Sequence, residues 1–205
     1  MGNTDKNETN QRIIEAARTV FAERGYAGSR MQEIADAAGV NKGLLTYYDW
    51  SKKKLFEAVF ADALAQFFGH LNAIIEADMP LIERLEKMVD KYVDMLLANP
   101  SLPGFVLSEI NQNPAFFQEK VKSRQNVPDL SRLLVQIQIA GQTGQIHPVD
   151  PFQLLMNVIS MCVFPFAGRP MIKGMTGIDD ESFNHLMRQR KAAIIAFIQR
   201  ALRPD

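Results

Sequence analysis

Hydrophobic residues recur every three to four positions along nearly the whole chain, and no segment alternates apolar and polar residues convincingly as a strand does. This spacing is typical of amphipathic helices. The first predicted helix runs from about Asn10 to Arg24, with apolar positions that begin at Ile13, and it stops at Gly25. The pattern therefore predicts an all-α fold.

Two short helices are predicted to follow the first. Ser29 and Gln32 have the Ser-x-x-Gln spacing of a capping box, which predicts a second helix that opens there and ends before Gly39. Asn41 is a good N-cap for a third helix that continues through Tyr48. Glycine at position 39 permits the left-handed backbone of a tight turn, so the pair is predicted to form a helix-turn-helix.

The rest of the chain is also predicted to be helical, with boundaries at caps and helix breakers. The predicted elements are a fourth helix capped by Ser51, a fifth from Pro80 to Asn99, two or three shorter helices between residues 100 and 144, an uncharged helix at 152–168, a loop near 168–177 and a last helix at about Asp180–Leu202. A helix that crosses a membrane needs roughly 20 mostly apolar residues. The uncharged stretch has 17 residues, several of them polar, and is predicted to be buried instead.

Composition and charge exclude several classes of protein. Basic and acidic residues number 23 each, so any surface that binds DNA must be local. The single cysteine, Cys162, excludes an internal disulfide framework and fits a reducing cytoplasm, and the polar N-terminus lacks a signal-peptide core. The three histidines show no metal-ligand spacing, and neither a phosphate-binding loop nor a nucleophile elbow is present. We expect no catalytic residue, metal or cofactor.

Three consecutive lysines, Lys52, Lys53 and Lys54, occupy the first turn of the predicted fourth helix. Positive charge there opposes the helix dipole by roughly 0.3–1 kcal/mol for each exposed side chain. A phosphate backbone docked at this helix start would explain the lysines, because ammonium groups and free N–H groups would act together. A solvated charge run with a small stability penalty explains them equally well.

Residues 10–60 closely resemble the DNA-binding domain of the tetracycline-repressor (TetR) family. The matching segments are Ile13–Ala17, Phe21–Tyr26, Ile34–Ala35, Ala38–Leu45, Tyr47–Tyr48 and Ser51–Lys52. They span about a quarter of the chain, and the remainder resembles the family only in its general helical organisation. The resemblance implies a helix-turn-helix domain at residues 1–51 and a helical ligand-binding and dimerisation domain at residues 52–205.

The resemblance also implies that the helix at Asn41–Tyr47 enters the major groove of DNA. The residues implied to contact DNA are Ser29, Arg30, Gln32, Asn41, Lys42, Gly43, Leu44, Thr46, Tyr47 and Lys52. Gln32 suits the edge of adenine, but it is also predicted to close the capping box. The family commonly has an aromatic residue or asparagine in place of Thr46 and usually phenylalanine in place of Asp49. Either Trp50 takes over that packing, or the corner is rearranged.

A short recognition helix reads few base pairs, so we expect a two-fold dimer on a palindrome. The uncharged helix and the last helix carry apolar residues on more than one face, which a single domain does not cover. In the family these two helices form a four-helix bundle with their symmetry mates. The predicted interface residues are Leu155, Ile159, Ala192, Ile195 and Ala196. A fully intramolecular core is the alternative.

The ten methionines and thirteen phenylalanines could line a pocket for a small apolar molecule, because such cores adapt to varied guests. The residues predicted to line it are Tyr92, Phe105, Phe116, Gln138, Met156, Asn157 and Phe164, although each is more often simple core. The predicted function is that of a cytoplasmic bacterial repressor released from double-stranded DNA by a small-molecule effector. A ligand-independent regulator or activator, and a helical scaffold that binds protein, are the alternatives.

Overall fold

The structure is a computed structural model that describes residues 2–122 and 128–204, without the side chains of residues 2–6 and 70. Every regular element in these ranges is an α-helix. The helices are α1 (Gly2–Gly28), α2 (Met31–Ala38), α3 (Lys42–Tyr47), α4 (Lys52–Glu76), α5 (Leu81–Ala98), α6 (Leu102–Gln112), α7 (Pro114–Lys122), α8 (Ser131–Gln142), α9 (Pro151–Ala167), α10 (Arg169–Thr176) and α11 (Asp180–Ala201). The predicted all-α fold is confirmed.

The chain divides into two compact units. Unit 1 consists of Met1–Ala65 and Gly104–Asn126, and unit 2 consists of Gln66–Pro103 and Val127–Asp205. Helix α4 contributes its first part to unit 1 and its second part to unit 2. The boundary predicted between residues 51 and 52 divides the chain by function, whereas these two units are defined by the contacts within each. The predicted boundary therefore stays a prediction.

Unit 1 packs α1, α2, α3 and the first part of α4 around an apolar core. Its buried side chains include Ile13, Ala17, Phe21, Ile34, Leu45 and Leu55. An aromatic cluster extends this core to α6 and α7. The Phe60 ring lies 6.0 Å from that of Phe105 and 5.5 Å from that of Phe116, and Phe56 meets Phe21 edge-on at 5.2 Å. Such pairs stabilise a fold beyond the apolar area that they bury.

Unit 2 is built around α5, which packs against α8, α9 and α11. The buried face of α5 consists of Leu81, Leu85, Met88, Val89, Tyr92, Val93 and Leu96. Arg84 is buried on the same helix, where its guanidinium donates to the carbonyls of Ile75 and Ala77 at 2.6 Å each and its Nε donates to Gln136 Oε1 at 2.8 Å. Arg84 thereby satisfies carbonyl groups at the end of α4 that no helical N–H reaches.

Several predicted boundaries are confirmed. Pro80 precedes α5, and Asn99 ends it. Asp150 caps α9 by accepting from the backbone N–H of Gln153 at 2.8 Å, and Asp179 caps α11 in the same way. In the described part of the proline- and glycine-rich stretch between residues 100 and 144, the chain forms three helices, α6, α7 and α8.

Helix α9 forms where the uncharged stretch predicted it, and much of it is buried. By length and apolar composition alone, α4 could cross a membrane, and so could the bent pair of α9 and α10, but core helices of globular proteins pass the same test.

Two boundary predictions are wrong. Helix α1 begins at Gly2 and not near Asn10, because a polar sequence continues the first helix without an apolar face that would reveal it. The predicted loop at 168–177 contains α10. Pro170 suits the first turn of a helix, and Arg169 anchors that turn by donating to Asp180 at 2.9 Å.

Candidate DNA-binding surface

The N-terminal end of α2 is closed by Glu33 and not by the predicted capping box. Glu33 Oε2 accepts a hydrogen bond from the backbone N–H of Arg30 at 3.0 Å, which makes Arg30 the N-cap. Ser29 is 3% exposed and donates its hydroxyl to the carbonyl of Tyr26 at 2.9 Å. The capping box predicted at Ser29 and Gln32 is therefore wrong by one residue. The prediction that the Ser29 side chain faces DNA is also wrong, because its hydroxyl is buried at the end of α1.

Arg30 and Gln32 are exposed at the start of α2, as their predicted role requires. Gln32 Nε2 donates to Asp36 Oδ1 at 2.8 Å, one turn further along the helix. To donate to a base edge, the Gln32 amide would have to give up this solvent-exposed hydrogen bond to Asp36. Arg24 Nη1 donates to Glu33 Oε1 at 2.7 Å, so the same glutamate joins the end of α1 to the start of α2.

The turn between α2 and α3 has the backbone geometry that its glycine predicts. Gly39 has φ +64°, in the left-handed region, and the N–H of Val40 donates to the carbonyl of Ala35 at 3.0 Å. Arg12 of α1 donates from Nη2 to the carbonyl of Ala38 at 2.6 Å. A side chain at Gly39 would be strained in this conformation, and its Cβ would approach the Arg12 guanidinium to 3.2 Å.

The recognition helix α3 buries one side and exposes the other. Asn41 caps it, with Oδ1 accepting from the backbone N–H of Gly43 at 2.8 Å, as predicted. Leu45 points into the core of unit 1, and Leu44 is half-buried. Lys42, Gly43 and Thr46 are exposed, and Tyr47 is 68% exposed. The packing of Leu45 therefore turns the predicted contact residues toward solvent.

The corner after α3 explains the departure from the family pattern at Asp49. Asp49 adopts φ +59°, a left-handed conformation that aspartate tolerates better than most residues, and its side chain points outward. Trp50 is half-buried, and its Nε1 donates to Asn10 Oδ1 at 2.8 Å. Trp50 thus contacts α1, and the corner remains tied to the rest of the helix-turn-helix.

Each of the three lysines at the start of α4 has a partner within unit 1. The Lys52 ammonium lies 4.8 Å from the centre of the Tyr26 ring, Lys53 lies 3.9 Å from Glu57, and Lys54 pairs with Asp49. Local partners therefore account for part of the charge run. Lys52 remains half-exposed at the N-terminal end of α4, where first-turn backbone N–H groups have no helical carbonyl partner and the Lys54 N–H donates to Ser51 Oγ at 3.2 Å.

The exposed groups on α3 match the chemistry of base edges and phosphates. Six helical residues span about 9 Å, and the major groove of B-DNA is about 12 Å wide. The Lys42 ammonium suits phosphate or guanine, and Thr46 offers a hydroxyl and a methyl group to base edges. Gly43 lets the helix backbone approach DNA closely, because it has no side chain.

The predicted ligand residues are divided between the two units. Tyr92 packs edge-on against Phe67 in the core of unit 2, at 5.3 Å between ring centres, while Phe105 and Phe116 belong to the aromatic cluster of unit 1. The remaining predicted residues are exposed; they are Gln138, Met156, Asn157 and Phe164. The pocket that these residues are predicted to line stays a prediction, because periodicity shows which residues are apolar but not which helix faces meet.

The predicted interface residues differ in how much they expose. Leu155 is 2% exposed and belongs to the core of unit 2, so its assignment to a dimer interface is wrong. Ala192 is exposed, and the side chains of Ile159, Ile195 and Ala196 are half-buried. The large apolar side chains that α9 and α11 expose are instead Phe152, Met156, Phe164, Leu186 and Phe197.

Four residues that position the helix-turn-helix were not predicted from the sequence. Arg12, Asn10 and Glu33 bind backbone or side-chain groups of neighbouring helices, as described above. Glu109, on α6, accepts from the backbone N–H of Tyr26 at 3.4 Å. A glutamate three residues after an N-cap is a recognisable signal for Glu33, whereas the other contacts join residues that are distant in sequence.

The protein has the features of a helix-turn-helix DNA-binding protein: a tight turn at Gly39, a buried contact at Leu45 and the exposed six-residue helix α3. The chain matches the family model of bacterial regulatory proteins of the tetR family over residues 13–59. It also matches that of the tetracyclin repressor-like C-terminal domain over residues 82–198, more than half of its length. The chain belongs to the TetR family of transcriptional regulators, which are not enzymes.

A relative and two solved structures match the chain over nearly its full length. The HTH-type transcriptional regulator RutR of Escherichia coli O157:H7 is 26% identical over 91% of this chain and 89% of its own. A crystal structure of a HlyIIR variant has a TM-score of 0.66 at 24% identity, covering 96% of this chain and 98% of that one. The transcriptional regulator FadR of Bacillus subtilis, solved in complex with stearoyl-CoA, has a TM-score of 0.60 at 19% identity, covering 91% and 98%. These two structures share the fold with this chain.

Proposed function

We propose that the chain is a cytoplasmic repressor that binds a palindromic operator as a homodimer and is released by a small, mostly apolar molecule. The observation that carries the proposal is the exposed face of α3, where Lys42, Thr46 and Tyr47 project from a helix fixed by its own cap and by Leu45. Arg30, Gln32, Asn41, Gly43, Leu44 and Lys52 complete the proposed DNA contacts. Ser29 is left out, because its hydroxyl is buried.

Dimerisation is supported by the apolar residues that unit 2 leaves exposed. Leu186, Ala193 and Phe197 are exposed at helical spacing along α11, and Phe152 and Met156 are exposed on α9. A groove of about 240 Å³ separates the two helices, and Phe197 and Asn157 lie on its opposite walls. A second copy of the chain would cover these side chains and fill the groove. The proposed interface therefore includes Phe197 and Met156 and excludes Leu155.

The ligand-release part of the proposal is supported by the character of the unit 2 core and by one solved structure. Met88, Met95 and Met187 are buried in unit 2 together with Tyr92. Because methionine is unbranched and flexible, a core rich in methionine rearranges around an apolar ligand more readily than a core of branched side chains. The FadR structure contains stearoyl-CoA, a ligand with a long apolar chain. A ligand that binds one conformation of the dimer more tightly than the other would shift operator affinity by at most the ratio of its two affinities.

The experiment that tests this proposal is selection of DNA from a random pool by the purified chain, followed by titration of fatty acids and acyl-CoA thioesters against the selected complex. Enrichment of one palindrome, lost when Tyr47→Ala replaces the wild type, supports the operator and the dimer. Enrichment of no sequence contradicts the proposal and favours a helical module that binds protein. A complex that none of the ligands dissociates favours a ligand-independent regulator.

A further inference from the structure

A cleft within unit 1 lies between the end of α1 and α6, away from the exposed face of α3. It has a volume of about 360 Å³, at the lower end of the range of roughly 300–1,000 Å³ that is usual for small-molecule sites. Its walls come from residues 21–25 and Ala27 of α1 and from Gly104, Phe105, Ser108, Glu109 and Gln112 of α6. The cleft therefore borders the segment where α1 is broken at Gly25, just before the helix-turn-helix.

The carboxylate of Glu109 lines this cleft and is nearly removed from solvent. Glu109 is 2% exposed. Its Oε1 accepts from the backbone N–H of Tyr26 at 3.4 Å, and its Oε2 accepts from Asn113 Nδ2 at 3.3 Å. Both distances exceed the usual N–H···O range of about 2.7–3.2 Å, and two long bonds leave much of the acceptor capacity of a carboxylate unused.

Among the residues that the structure describes, no cation lies within ion-pair distance of Glu109. Arg24 is the basic residue that lines the cleft, and its guanidinium is paired with Glu33 at 2.7 Å. Glu23, also on the cleft wall, is exposed and adds a second carboxylate. Burying a carboxylate without a cation is costly, and buried charges in proteins are normally paired.

We propose that this cleft binds a small organic cation of the aliphatic amine class. One ammonium group would donate to the Glu109 carboxylate. In a diamine, the second ammonium group would be attracted to the Glu23 carboxylate. Charge-assisted hydrogen bonds of this kind are about twice as strong as neutral ones. The site lies in unit 1, and it is independent of the apolar effector and of the dimer interface proposed above.

The test is isothermal titration calorimetry of the full chain with 1,4-diaminobutane at constant ionic strength. Wild type is expected to give saturable binding of one diamine per chain. Glu109→Gln is expected to weaken it about tenfold or more, because a charge-assisted bond becomes neutral. Glutamine keeps an oxygen for the Tyr26 N–H, and the Asn113 amide can rotate to present its own oxygen to the new NH₂ group.

Two controls separate a specific site from general attraction. Glu119→Gln removes an exposed carboxylate on α7 that does not line the cleft, and it is expected to leave the affinity unchanged. 1,4-Butanediol has the same chain without charge and is expected not to bind.

Gly104→Phe provides a second test if Glu109→Gln unfolds the chain. Gly104 lines the cleft, and nothing lies within 4 Å of the position that its Cβ would occupy, so a large side chain there has room at the cleft wall and is designed to obstruct the cleft. This variant is expected to abolish diamine binding.

Absence of saturable binding at millimolar diamine overturns the proposal. So does equal affinity in wild type and Glu109→Gln, equal weakening by Glu119→Gln, binding of the diol, or an unchanged affinity in Gly104→Phe. Because DNA plays no part in the titration, the result is independent of the proposed repressor function.

Discussion

Replacement of Phe197 by glutamate is predicted to convert the proposed dimer into monomers. Phe197 is 58% exposed in a single chain and lies on the wall of the groove between α9 and α11. A buried phenylalanine covers about 150–250 Å², so the exposed 58% corresponds to an area on the order of 100 Å². At about 25 cal/mol/Å², covering it contributes about 2.5 kcal/mol per side chain.

A two-fold interface contains this side chain twice, which doubles the contribution to about 5 kcal/mol. Part of that gain is offset by the entropy lost on association, whereas a glutamate in the same place adds the cost of burying a carboxylate. We therefore expect the dimer Kd to rise at least about a hundredfold, equivalent to about 2.7 kcal/mol.

Sedimentation velocity over a range of protein concentrations measures this change, with circular dichroism to verify that the variant is folded. Leu107→Glu is the matched control, because Leu107 is an exposed apolar residue on α6 in unit 1. A Phe197→Glu protein that sediments as a dimer at every concentration at which wild type does refutes the assigned interface. Equal dissociation by Leu107→Glu refutes it as well.

Four further predictions concern single side chains. Tyr47→Ala is expected to weaken operator binding at least about tenfold without changing the melting temperature, since this side chain is exposed; equal affinity by gel shift contradicts this role. Asn41→Ala is expected to lower the free energy of unfolding by about 1 kcal/mol in urea titrations, whereas Asn41→Asp keeps the cap; equal loss in both variants contradicts the capping role. Arg84→Met is expected to cost about 2–4 kcal/mol, because it leaves buried carbonyls at the end of α4 unsatisfied, and a loss below about 1 kcal/mol contradicts this. Burial raises the pKa of the Cys162 thiol from 9.0 to about 12, so iodoacetamide should label the folded chain far more slowly than the unfolded chain. Since only the unfolded thiol ionises between these values, the contribution of Cys162 to stability should fall as pH rises from 9.0 to about 12, and a Cys162→Ala variant with the same pH profile contradicts this.

Local signals in the sequence are sufficient to predict most of the helices. Asn41 is a cap that the sequence predicted, because its hydrogen bond involves a residue only two positions away. Asp150 and Asp179 make equally local capping bonds, to residues three positions away. The positive φ of Gly39 follows from the tight turn in the same way. Ser29 shows how such a signal misleads, because Glu33 closes the helix one residue later than the Ser-x-x-Gln pattern suggests.

Tertiary contacts account for the predictions that failed. Leu155 and Met156 are adjacent and both apolar, yet the first is buried in unit 2 and the second is exposed. Their spacing cannot distinguish a face that packs inside the chain from one that a second copy would cover. The contacts of Glu109 with Tyr26 and of Arg12 with Ala38 join residues far apart in sequence, so no local pattern indicates them.

We propose that α3 reads a specific DNA sequence. Fluorescence anisotropy of labelled DNA from upstream of the chain's own gene, measured at several salt concentrations, tests it most directly. We expect one palindromic fragment to bind far more tightly than bulk DNA, and log K to fall linearly with log salt, with a slope of about −0.9 for each phosphate contacted. Tyr47→Ala is expected to reduce the preference for that fragment. Equally weak binding to every fragment by wild type and Tyr47→Ala contradicts the account.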